Sequence, residues 1–272
     1  MKKIFFTLIA AVAIAFAASC SKENNAIVTD TLISVSKLKA IATIDDITRV
    51  SGTESDGIVK TSWEIGDMVI GYYILPNQTE KTQLSLKVTS VDEATGHAML
   101  EASIPGITGA IPSGTKLDFY YAPGVESLND DGSVSIDWST QTGRLNDGVL
   151  DGKAYMVSDE ATITATGTIS LTFHNKMTLI KISGLLRKDG TTALAAGTDL
   201  KLSAAEGLYV SGKLDKNGFS DLVEGEIATK IADGATYVAI PRVGAGKNTT
   251  TKDISKLGLS YIETENDREH EY

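Results

Sequence analysis

Short runs in which apolar and polar residues alternate recur along most of this 272-residue chain, separated by turns rich in Gly, Asn and Asp. A period of two marks half-buried strands, and no long Ala/Leu/Glu/Lys stretch offers a competing helix. Gly occurs 25 times and Pro only 5, so turns are many and strand interiors are seldom interrupted. The pattern predicts an all-β fold. Strands are expected over Leu32–Ile44, Met68–Leu75, Gln83–Val91, His97–Ile104, Lys116–Ala122 and Ser133–Trp138, then over Tyr155–Val157, Ala161–Ala165 and Thr168–Phe173. A second set covers Asp199–Ser203, Leu208–Leu214, Phe219–Val223, Lys230–Ile231, Thr236–Pro241 and Leu257–Ile262, ahead of a charged tail, Glu263–Tyr272. Met177–Leu186 fits a strand or a short helix, and periodicity does not decide between them. Asn217-Gly218 is the strongest hairpin signal, because both residues tolerate positive φ. The strand spacing is that of antiparallel sandwiches, with a domain boundary expected near the polar break His174-Asn175-Lys176.

The N-terminus carries a different signal. Lys2 and Lys3 precede an apolar run from Ile4 to Phe16, then Ala17-Ala18-Ser19 and Cys20. A basic start, a short apolar stretch and a small-residue exit describe an export signal, and the run is shorter than the roughly 20 residues of a membrane span. Cys20, the sole cysteine, stands where a bacterial lipobox places the residue that is acylated after cleavage. The chain is therefore divided into a signal peptide, 1–19, a lipidated tether, 20–31, an N-terminal β-sandwich, 32–176, and a shorter C-terminal β domain, 177–272. The expected location is the cell surface, as an outer-membrane lipoprotein held by its lipid. With the only cysteine at the anchor, the mature chain has no internal disulfide, and its stability must come from apolar burial.

The net charge of the whole chain is −10. Such an acidic chain repels nucleic acid, so no nucleic-acid partner is expected. No nucleophile elbow and no His/Cys metal spacing appear among the three histidines, His97, His174 and His270. No enzyme activity, metal or cofactor is expected. Asp215–Asp221 places oxygens at alternate positions around a glycine, but its flanks read as strands, and a hairpin turn accounts for it. Trp138, beside the polar loop that runs to Ala154, is the candidate ligand-facing aromatic for a glycan or host protein.

Three segments then bear a resemblance. Thr48-Arg49, a polar loop, and Trp63-Glu64-Ile65-Gly66-Asp67 lead into an apolar strand; Tyr120-Tyr121-Ala122-Pro123 closes another; Leu171-Thr172-Phe173-His174-Asn175-Lys176-Met177 bridges the halves. In their order and spacing these resemble the fimbrillin family of Gram-negative anaerobes, the subunits of type V pili. The resemblance implies two tandem sandwich domains of transthyretin-like topology and assembly by strand exchange with other pilin-like subunits. It also implies proteolytic maturation after an arginine near the end of the first strand, and Arg49 matches that arginine by position. The tail departs from the family pattern, since Leu257, Leu259 and Tyr261 alternate over only a short span. An accessory or anchor subunit, a truncated copy, or a non-polymerising surface lipoprotein that binds glycan or host protein all remain open at this point.

Overall fold

A computed structural model describes residues 32–33, 37–44, 54–55, 58–59, 62–75, 77–103, 111–145, 152–164, 166–205, 207–242, 257–265 and 268–271. The signal peptide, the tether with Cys20, and Arg49 lie outside these residues. In the first half the strands are β1 (Leu32–Ile33), β2 (Lys37–Ile44), β3 (Glu54–Ser55), β4 (Ile58–Val59), β5 (Met68–Ile74), β6 (Lys81–Asp92) and β7 (His97–Ser103). They continue with β8 (Ile111–Pro112), β9 (Lys116–Tyr121), β10 (Val134–Asp137), β11 (Met156–Ser158), β12 (Ala161–Thr162) and β13 (Thr168–Asn175). In the second half come β14 (Met177–Ile182), β15 (Asp199–Ala204), β16 (Leu208–Asp215), β17 (Gly218–Gly225), β18 (Ile227–Lys230), β19 (Thr236–Pro241), β20 (Leu257–Glu265) and β21 (Arg268–Glu271).

The first half curls into a ring. Its hydrogen-bonded order runs β11, β13, β2, β7, β6, β5, β9, and β9 pairs again with β11, which closes seven strands into a barrel-like sheet. Closure removes the open sheet edges that would otherwise template aggregation. Registration puts alternate residues on one inner face. Ala40 lies between Leu100 and Ile169, Val69 beside Leu86, Gly71 between Leu84 and Phe119, and Met156 beside Tyr121. Apart from Gly71 these residues belong to one continuous buried cluster, which Trp63 joins edge-on to Tyr121 and Phe173, with centroids at 5.6 and 5.2 Å. Burial of this alternating face is the main stabilising term available to a chain without disulfides.

The pairing is not purely antiparallel as expected. β2 runs antiparallel to β7 but parallel to β13. A parallel pair needs a long crossover between its strands, and here nearly the whole first half of the chain lies between β2 and β13.

The second half contributes three sheets: β14 with β19, β18-β15-β20-β21, and β10-β16-β17. Met177–Ile182 is thus a strand, with Met177 and Ile182 buried and Lys181 exposed. Two connections cross the expected boundary at 176/177. β10, from the first half, pairs with β16 over Val134–Asp137, and Ser139–Gly143 threads between β18 and β19. Thr31–Tyr272 is one compact unit. The expected charged tail is also strand: β20 reaches Glu265 and β21 pairs back on it from Arg268 to Glu271. Charged residues are tolerated there because β21 is an edge strand, where they oppose further pairing.

Candidate functional site

β2 is the element that the strand-exchange expectation singles out, and its placement can be built from its sequence, Lys-Leu-Lys-Ala-Ile-Ala-Thr-Ile. Alternate residues Leu38, Ala40 and Ala42 point into the barrel and are fully buried, while Lys39 and Ile41 face out. On the β7 side Leu38 registers with Ala102, Ala40 with Leu100 and Ala42 with Ala98. On the β13 side Ala40 registers with Ile169, Ala42 with Leu171 and Ile44 with Phe173. The outward face adds weaker ties: Lys39 Nζ lies 3.4 Å from Glu101 Oε1, and the Thr43 hydroxyl donates to the Leu171 carbonyl at 3.4 Å. The Lys39–Glu101 pair is solvent-exposed and contributes well under about 1 kcal/mol. The strand is held by its two ladders and its small buried side chains.

Trp138 is not ligand-facing. Its ring is completely buried against Tyr155 and Phe219, at centroid distances of 6.2 and 5.3 Å, and its indole N–H donates to the Tyr209 carbonyl at 2.5 Å. The flanking Asp137 and Ser139 suggested a wet environment, but β16 and β17 come from the second half and cover the ring. A buried indole that has satisfied its one donor is core, with no free face for a sugar.

Among the described residues, His97 and His174 do not converge. His97 is exposed at the start of β7, and His174 sits on β13 with its Nε2 3.0 Å from Asp159 Oδ1. Among the described residues no group of three or more His, Cys, Asp or Glu side chains is placed to hold a metal ion. Asp215–Asp221 spans the β16–β17 hairpin turn and the start of β17, and the Asp215 carboxylate accepts the Asn217 N–H at 2.7 Å.

A cleft of about 430 Å³ opens beside β5 and the end of β9, lined by Asp67, Met68, Ser85, Tyr121, Pro123 and Glu126 among others. Asp67 accepts the Tyr121 hydroxyl at 3.1 Å and the Glu64 N–H at 2.8 Å. Burial nonetheless raises its carboxyl above the ordinary range, because removing the charge from water outweighs those two bonds.

Sequence reasoning missed Gln141. Its side-chain amide behaves as a strand residue: Nε2 donates to the Ala239 carbonyl and Oε1 accepts the Ala239 N–H, both at 2.8 Å. Its own backbone N–H donates to the Ala228 carbonyl at 2.8 Å. One residue of the first half therefore bridges β18 and β19 of the second. A lone Gln in a Gly- and polar-rich stretch reads as loop, and only the fold shows it paired.

No family model matches the chain, and no curated protein matches it. Solved structures do resemble it. One, described as a "putative cell adhesion protein" from Bacteroides ovatus ATCC 8483, has a TM-score of 0.50 at 14% identity, covering 86% of this chain and 84% of that one. A second, under the same description, from Bacteroides uniformis ATCC 8492, has a TM-score of 0.49 at 16% identity, covering 88% of this chain and 85% of that one. The likeness to the first of these is one of fold.

Proposed function

We propose that this chain is a cell-surface, adhesion-related lipoprotein of the fimbrillin type, a structural or accessory subunit that joins other pilin-like subunits by strand exchange. The single observation that carries the reading is the position of β2. Among the described residues it is the first long strand, it sits between β7 and β13, and it fills the barrel interior with alternate side chains. Removing it would leave two unpaired strand edges and an apolar slot between them. Such a slot is what β-strand addition requires: backbone ladders supply affinity, and alternating pockets supply specificity. Arg49 follows β2 by five positions, where a protease could sever the strand from the body of the protein. The likeness in fold to a protein described as a putative cell adhesion protein supports the adhesive context. The leader and Cys20 support an outer-membrane lipid anchor. The proposed role is structural, without catalysis or cofactor.

The test is treatment of the native lipoprotein with an Arg-specific protease, followed by N-terminal mass analysis and electron microscopy. The expected result is acylated Cys20 before treatment, a new N-terminus at Val50 after it, and oligomers or fibres that form only after cleavage. Clean cleavage at Arg49 that leaves a permanent monomer would remove polymerisation from the reading.

A further inference from the structure

The walls of the β2 position carry a size rule. At the middle of the strand two alanines occupy the inward positions, and their neighbours in register are mostly large. Ala40 faces Leu100 on β7 and Ile169 on β13; Ala42 faces Leu171 on β13 and Ala98 on β7. Ala40, Ala42, Leu100 and Ala98 have no exposed surface, and Ile169 and Leu171 retain 1%. Interiors are packed to crystal-like density, so a side chain larger than alanine at either position has no void to enter. Toward the ends the limit relaxes: Leu38 lies beside the small Ala102, and Ile44, the C-terminal residue of β2, is only partly buried beside Phe173. On the outer face Glu101 stands opposite Lys39 and favours a cation there.

We propose that the slot vacated by β2 selects its incoming strand by size. It accepts an extended segment with large apolar residues at the outer two of four alternate positions, alanine-sized residues at the central two, and a cation opposite Glu101. Leu100, Ile169 and Leu171 are the specificity-determining residues. This rests on the strand-exchange reading above and adds the kind of partner to it. It also excludes one occupant, β20 of a second copy. Aligned on its own alternation, β20 brings Leu259 and Tyr261 to the two alanine positions. In its own fold β20 is already paired with β15 from Leu257 to Tyr261. The partner is thus a strand of the β2 pattern, with alanines at its two central inward positions.

The experiment uses the full mature chain cut by an Arg-specific protease, with the released fragment displaced in mild urea and three labelled peptides followed by fluorescence anisotropy. The first peptide is Lys37–Ile44, the second carries Ala40→Leu and Ala42→Leu, and the third is Leu257–Glu265. Saturable binding of the first is expected, with the other two at least tenfold weaker. A chain carrying Ile169→Ala and Leu171→Ala should recover binding of the second peptide. Equal binding of the first two peptides overturns the size rule while leaving strand exchange standing. If no peptide binds, it is strand exchange that fails, and the rule is decided in the uncut chain. There Ala42→Leu should lower the melting temperature and Leu171→Ala in the same chain should raise it again; an unchanged melting temperature for Ala42→Leu overturns the rule.

Discussion

At the scale of single residues, Gln141 shows how much one side chain can hold. Its amide satisfies both backbone groups of Ala239. Gln141→Leu leaves a buried donor and acceptor unpaired, and each orphan costs about 1–3 kcal/mol. Urea unfolding should show a loss of about 2–6 kcal/mol on that basis. Gln141→Glu is the sharper probe. Its carboxylate can accept the Ala239 N–H but not donate to the carbonyl, so the variant should recover stability as the carboxyl is protonated at low pH. A Gln141→Glu variant with a flat pH dependence would refute the strand-mimic role. The adjoining Gly143 is forced as well: its φ is +77°, and a Cβ there would lie 2.2 Å from the Lys230 carbonyl oxygen. Trp138 carries the opposite lesson. Its neighbours in sequence are polar and its neighbours in space are Tyr155 and Phe219, so sequence context pointed the wrong way.

Elements were more legible than residues, because strand periodicity is a local property. The alternation of Leu38, Ala40 and Ala42, the run Met68–Ile74 and the segment Thr168–Phe173 each lie on the strands expected of them. Where the reading was ambiguous, as at Met177–Ile182, pairing with β19 settles it. β8 was missed because two residues carry no period, and β21 because its charges resemble a solvated tail. The Asn217-Gly218 hairpin is present, but only Gly218 has positive φ, at +116°. The turn therefore spans Lys216 and Asn217, with Asp215 fixing Asn217 and the glycine absorbing the strain at the start of β17. Gly218→Ala should cost about 1–2 kcal/mol, since a Cβ is disfavoured at that φ. Replacement of Asn217 by Asp should be nearly silent. Comparable thermal shifts for the two variants would contradict this assignment of the turn.

At the scale of the whole molecule, closure of the ring and the parallel β2–β13 pair were not legible. Both depend on contacts between strands distant in the chain, β9 with β11 and, across more than a hundred positions, β2 with β13, and local pattern says nothing about which strand meets which. A global consequence can be measured through tyrosines. Burial, reinforced by the Asp118 carboxylate that accepts its hydroxyl, pushes Tyr72 up to about 12. Burial raises Tyr120, Tyr121 and Tyr155 as well. A folded-state pKa above the ordinary 10.0 means these phenols contribute stability that is intact below about pH 10 and lost as pH rises above it, for Tyr72 through about 12. Phenolate absorbance should therefore rise in two stages, the second coinciding with loss of the β circular-dichroism signal. Ionisation of every tyrosine near pH 10 with the fold retained would show that these phenols are open to solvent.

The parallel registration of β2 and β13 also has a mechanical side. β13 passes through the single residue Lys176 into β14, so tension in the second half reaches the barrel at the C-terminal end of β13. A pull on the chain before β2 arrives at the N-terminal end of β2. In a parallel pair these are opposite ends, and the two strands are loaded in shear. The ladder from Lys39/Thr168 to Ile44/Phe173 then resists as a whole, whereas an antiparallel pair pulled from one end would peel bond by bond. Among the described strands β2–β13 is the one pair that runs parallel, and it is the pair that a load applied in this way reaches.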